Sequence, residues 1–157
     1  MTDRITEEER RGIGKGMIST MLPYTLQDGY NRDRMPRAFK AVRVENEYLR
    51  AIFLPELGGR LWSLFDKKKG RELLYKNQVF QPANLALRNA WFSGGVEFNV
   101  GIKGHNPLTC SPLFAEIITG DDGEQILRMY EYERIREITC SVSVCLPAGS
   151  ELLYIQN

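Results

Sequence analysis

Residues 137–146 alternate in character without a break. Ile138, Cys140, Val142 and Val144 fall on one side of an extended chain; Thr139, Ser141, Ser143 and Cys145 fall on the other. Successive side chains of a strand point to opposite faces, so this pattern suits a strand with one buried and one polar face and suits no helix. Similar segments recur from Phe39 onward. Ala41–Glu45 alternates at period two, Tyr48–Leu54 follows, and Arg60–Phe65 comes after a turn at Pro55–Gly59. Further strands are expected over Glu72–Tyr75, around Asn84–Leu87, over Val96–Val100, Leu113–Ile118 and Gln125–Ile135, and finally over Leu152–Ile155. Asp122-Gly123 closes a hairpin, because Asp-Gly accepts positive φ cheaply, and Pro147–Ser150 makes the last turn. No stretch carries a long helical stripe. The expected fold class is therefore all-β, an antiparallel β-sandwich over residues 39–157.

Residues 1–38 differ from the rest and are expected to form an irregular N-terminal arm. Thr6 is placed to cap a short helix with Glu9 at the capping-box position. Gly12, Gly14 and Gly16 would then break that helix, and Pro23, Gly29 and Pro36 keep the following chain irregular. The three glycines do not form a dinucleotide fingerprint, since no strand precedes them and their spacing is too tight. Such an arm would pack on a sheet or reach a partner.

Composition excludes some partners. The 157 residues carry 21 basic and 20 acidic side chains, a net charge of +1, so no field suited to tracking phosphates is built and nucleic acid is not an expected partner. Lys67, Lys68, Lys69 and Arg71 cluster between two strand-like segments, where a solvated turn accounts for them. No apolar run approaches the length of a membrane span, and the charged start is unlike a signal peptide. Cys110, Cys140 and Cys145 are an odd number, expected as reduced thiols in a cytoplasm.

The chemistry concentrates in Trp91–His105, which holds four glycines, three aromatics and the single histidine of the sequence. Glu97, Asn99 and His105 supply polar groups beside Trp91, Phe92 and Phe98. Flat apolar faces beside a few aimed hydrogen-bonding groups suit a sugar, whose C–H faces stack on rings and whose hydroxyls need donors and acceptors. The alternative is a strand-turn-strand with the aromatics in the core and Glu97 and His105 at its rim. Arg60 offers a planar donor fork to sugar hydroxyls, or else pairs with Glu97 or Glu56 as structural support. Trp62 and Trp91 are stacking platforms if they line a groove and core residues if they do not.

Glu45-Asn-Glu-Tyr-Leu-Arg-Ala-Ile-Phe-Leu-Pro-Glu-Leu-Gly-Gly-Arg60, followed by Leu64–Asp66 and Glu72–Asn77, resembles the opening of galactose-mutarotase-like β-supersandwich proteins. The closer resemblance is to an uncharacterised bacterial family within that superfamily, whose members often precede tetratricopeptide repeats. Trp91–Asn99 with His105, and Pro147–Tyr154, resemble its later landmarks. The resemblance covers about residues 20–157 and implies the N-terminal part of a supersandwich. Mutarotases of that superfamily use a histidine acid and a carboxylate base, the base lying late in a chain roughly twice as long. The later half of that pattern is not found here, so the resemblance implies a carbohydrate-binding domain in which Arg60, Trp62, Trp91, Glu97, Asn99 and His105 line a pocket for a mono- or oligosaccharide. The enzymatic alternative makes His105 the acid and Glu97 a base or orienting group, with a second chain completing the site. A third reading is an assembly module without ligand.

Other constellations are weaker. Glycoside hydrolysis would pair Glu97 with Glu56 or Glu116 across a cleft. A metal site would draw on His105, Cys110 and Glu97, but the spacing matches no zinc pattern, and no metal or cofactor is expected. Cys110 precedes Ser-Pro in apolar surroundings and is expected to be inert. Half a supersandwich would expose a sheet edge or an apolar face, so a homodimer is expected.

Overall fold

The computed structural model describes residues 24, 33–77, 79–83, 91–100 and 105–157. Among the described residues, eight antiparallel strands form two sheets of four. Sheet A holds β1 (Val42–Glu45), β2 (Leu49–Leu54), β3 (Arg60–Asp66) and β4 (Arg71–Glu72) in sequence order. Sheet B holds β5 (Phe114–Thr119), β6 (Gln125–Glu133), β7 (Ile138–Cys145) and β8 (Tyr154–Gln156), again in sequence order. The all-β sandwich expected from the alternation is the architecture found.

The core lies between the sheets. Ala51 and Phe53 of β2 and Leu61 of β3 meet Leu127 and Met129 of β6 and Cys140, Val142 and Val144 of β7. Met129 stands opposite Val142 and Leu127 opposite Val144, so the alternation of β7 places its apolar side on the core. Each of the Phe, Leu, Met and Val side chains contributes roughly 1.5–3 kcal/mol by leaving water. Ile117 of β5 and Ile155 of β8 face the same side as this core, yet remain 55% and 37% exposed.

Two devices, one a side chain and one a main-chain contact, tie distant segments together. Asn46 accepts the N–H groups of Tyr48 and Leu49 on Oδ1, closing the β1–β2 hairpin, while its Nδ2 donates to the carbonyls of Pro147 and Ser150 beyond β7. A 3-10 turn, Pro55–Leu57, ends at Gly58, whose φ of 65° favours glycine. The Gly58 N–H donates to Ser111 O at 3.0 Å, and a Cβ there would press on the Leu108 carbonyl oxygen at 2.8 Å. Glycine lets the β2–β3 turn lie against residues 108–111.

Some expectations are corrected. Among the described residues, Val96–Val100 forms no ladder, only the bridge of Val96 to Leu61. Its composition is strand-like, but the carbonyls of Phe98 and Asn99 accept from the side-chain amides of Asn106 and Asn157. The expected strand over Glu72–Tyr75 contracts to Arg71–Glu72. The strand expected around Asn84–Leu87 and the helix expected at Thr6 lie outside the described residues.

Candidate functional site

The site is built on a crossing of β3 with residues 92–97. Gly94 and Gly95 have φ of 130° and 67°. A Cβ on Gly95 would collide with the Leu61 carbonyl oxygen, and one on Gly94 would come within 2.7 Å of the Trp62 ring. Two glycines thus allow the loop to lie directly on β3, where Val96 and Leu61 exchange main-chain hydrogen bonds of 2.9 and 3.2 Å. Glu97 then falls beside Arg60.

Arg60 is 2% exposed. Its Nη1 donates to the Gly94 carbonyl at 2.6 Å, and its Nη2 donates to Thr109 Oγ1 at 2.8 Å and reaches Glu97 Oε2 at 3.4 Å. The guanidinium lies over the Phe92 ring, 3.9 Å from its centroid, a cation–π contact strengthened by the absence of water. Burial pulls the guanidinium below its usual range, and the Glu97 charge works in the opposite direction. It remains a cation, as arginine does in proteins generally.

Glu97 gathers donors on both oxygens. Oε2 accepts from Thr109 Oγ1 at 2.7 Å in addition to Arg60. Oε1 lies 3.0 Å from His105 Nδ1 and accepts the Asn106 N–H at 3.3 Å. A carboxylate only accepts, so the proton of the His105 contact sits on Nδ1, and in the neutral ring Nε2 carries the free lone pair. His105 is 27% exposed and Glu97 11%. Trp91 lies outside them, 52% exposed, its ring centroid 6.5 Å from the imidazole. A chain of contacts thus runs from a buried cation through a carboxylate to an imidazole at the surface, beside an open indole. It can hold a ring nitrogen in one orientation and present it to a hydroxyl or a transferable proton.

The fold brings Arg60, Glu97, His105 and Trp91 together and separates the other two candidates. Arg60 lies behind Glu97 as its support. Trp62, two residues along β3, packs on Phe80 at 4.4 Å between centroids and on Gly94. Asn99 is exposed and lines a different cleft of about 790 Å3, together with Arg128, Tyr130 and Ser141 of sheet B. Glu116, considered as a partner carboxylate for Glu97, lines that same separate cleft. Thr109 and Asn106, both 1% exposed, are site residues that the sequence reasoning missed. Asn106-Pro107 is a turn signal, and Asn106 Oδ1 indeed accepts the Leu108 N–H at 2.9 Å; nothing local marks Thr109. Burial pushes the Cys110 thiol up to about 11, with Arg60 working to lower it and Glu97 to raise it. Among the described residues, no three His, Cys, Asp or Glu side chains are placed to hold a metal ion.

Residues 17–157 match the family described as a domain of unknown function, DUF5107. Among solved structures, the chain is similar to a TPR-domain containing protein from Parabacteroides distasonis ATCC 8503, with 28% identity and a TM-score of 0.69 over 78% of this chain. The match spans 21% of that longer chain.

Proposed function

We propose that this chain, which belongs to the DUF5107 family, is a carbohydrate-binding domain whose contact surface centres on Trp91 and His105. The observation carrying this reading is the 3.0 Å contact between His105 Nδ1 and Glu97, backed by buried Arg60 and Thr109, beside an exposed indole. The indole stacks on the C–H face of a sugar ring, and His105 Nε2 accepts from a hydroxyl. Glu97 and Arg60 do not touch the sugar; they fix the imidazole. In this reading the domain is the N-terminal part of a galactose-mutarotase-like supersandwich, works in a bacterial cytoplasm, and pairs with a second copy. The exposure of Ile117 and Ile155 supports a covered apolar surface of that kind.

Calorimetric titration with a panel of aldoses and oligosaccharides tests the reading. The expected result is binding of at least one sugar, abolished by Trp91→Ala and by His105→Ala while thermal denaturation of both variants stays close to that of the parent. No binding across the panel, or binding unaffected by both substitutions, would refute it.

The same carboxylate–imidazole contact favours a second reading, a sugar epimerase. His105 would exchange a proton with the sugar while Glu97 orients it, and a second chain would supply the complementary acid or base, since mutarotation needs both on one substrate. Polarimetry on freshly dissolved aldoses decides: a rate no faster than the spontaneous one at high protein concentration removes this reading and leaves binding intact.

A further inference from the structure

Sheet B turns its second face away from the core. Leu127 and Met129 of β6 and Val142 and Val144 of β7 are buried between the sheets, so Arg128, Tyr130, Ser141 and Ser143 point outward. The register sets them in two rows. Glu116, Arg128, Ser143 and Gln156 stand side by side across β5, β6, β7 and β8, and Phe114, Tyr130 and Ser141 form the next row. All of these except Phe114 line the cleft of about 790 Å3. Small-molecule sites fall in the range of roughly 300–1,000 Å3.

The cleft also holds an unpaired cation. Arg128 is half-buried, yet among the described residues its guanidinium makes no hydrogen bond and no ion pair. Glu116 is its direct cross-strand neighbour, a position where opposite charges ordinarily interact, and its carboxylate also has no such partner among the described residues. Arg60 is the opposite case, its two terminal nitrogens held by Gly94, Thr109 and Glu97. One arginine supports the fold; the other presents its donors to whatever enters the cleft.

We propose that this outward face of sheet B is a second binding site, separate from Trp91 and His105 and independent of them, for a saccharide that bears a carboxylate. The Arg128 fork takes the carboxylate in two parallel N–H···O contacts. Ser143 and Gln156 beside it, and Ser141 in the next row, offer donors and acceptors to ring hydroxyls, while Glu116 accepts from another hydroxyl. Tyr130 is steadied by Phe114, with ring centroids 5.7 Å apart, and offers half-buried apolar surface to sugar C–H groups. The charge balance disfavours a phosphate: a single cation stands beside a carboxylate, and Glu116 repels a second negative charge placed near Arg128. A small amino acid would satisfy Arg128 and Glu116 but leave Tyr130 and Ser141 untouched.

Titration of the isotope-labelled full chain with D-glucuronate and D-galacturonate, followed by amide spectra, tests this, with glucose and galactose as neutral controls. The expected result is that at least one uronate at millimolar concentration shifts the amides of Arg128, Tyr130, Ser141 and Ser143, and binds about tenfold or more tightly than its neutral parent. Arg128→Gln, which removes no contact within the described protein, should keep the thermal denaturation of the parent and weaken uronate binding about tenfold or more. The mapping on the unmodified chain stands even if that variant fails to fold. No shifts with either uronate, or equal affinity for uronate and neutral parent, would overturn the proposal. Shifts confined to Trp91–His105, with sheet B unmoved, would also overturn it while leaving the His105 reading in place.

Discussion

Replacing Arg60 with methionine keeps most of the apolar stem and removes the charge. The substitution leaves Glu97, 11% exposed, with Thr109, His105 and the Asn106 N–H as partners but no buried cation, and it strips the donor from Gly94 O. Removing one member of a buried ion pair destabilises by about 3–5 kcal/mol, because the other charge stays buried. The remaining donors to Glu97 place this case near the lower end, at about 3 kcal/mol. For a chain of this size that corresponds to a fall in Tm of roughly 6–12 °C. Urea denaturation of the parent, Arg60→Met, Glu97→Gln and the double variant supplies the cycle. If the pair acts as a unit, the double variant loses less than the sum of the singles by about 1.5 kcal/mol or more. A loss below about 1 kcal/mol for Arg60→Met, or additivity within about 0.5 kcal/mol, would refute the claim that Arg60 supports Glu97.

Three further outcomes follow from the geometry. Gly95→Ala meets both a positive φ and the Leu61 carbonyl, whereas Gly123→Ala meets a positive φ with nothing within 4 Å. Chemical denaturation should therefore show Gly123→Ala costing about 1 kcal/mol and Gly95→Ala clearly more; equal losses would contradict the close approach. Although burial works to raise it, hydrogen bonds from Lys76, Ser63 and the Leu64 N–H hold the Glu72 carboxyl below its ordinary 4.5. A lowered folded-state value adds stability that is complete above 4.5 and lost as pH falls below it, so Glu72→Gln should flatten the acid limb of a stability–pH curve. An unchanged limb would count against the contact. With its thiol pushed up to about 11, Cys110 should alkylate with iodoacetamide at pH 8 about a hundredfold more slowly than a free cysteine, as read by peptide mass spectrometry.

What was legible in the sequence follows from how locally each feature is encoded. The alternation of residues 138–144 fixed a strand and its buried side, because a side chain's face depends only on its position along the strand. Gly94-Gly95 marks a special backbone, and a buried-support role for Arg60 beside Glu97 is legible from residue type alone, as is a sugar-facing one. Val96–Val100 was misread because composition cannot show that Asn106 and Asn157 take the carbonyls a ladder would need. Thr109 was invisible because its role is set by the return of the chain after Pro107, twelve residues beyond Glu97. Asn99 lines the cleft of Arg128 and Tyr130, because proximity to Glu97 in sequence says nothing about which cleft an exposed side chain lines. Trp62 shared a strand face with Arg60, but the residue that covers it, Phe80, lies beyond two turns.

The central claim is that Glu97 holds His105 with Nδ1 protonated so that Nε2 meets a sugar beside Trp91. The chain has a single histidine, so ring-nitrogen spectra of labelled protein report this site alone. Titrating a sugar that binds by calorimetry should find the Nδ1–H form before addition, and should then shift His105 Nε2 and the Trp91 indole N–H together. A free protein with its proton on Nε2, or a bound sugar that leaves both signals unmoved, would contradict the account.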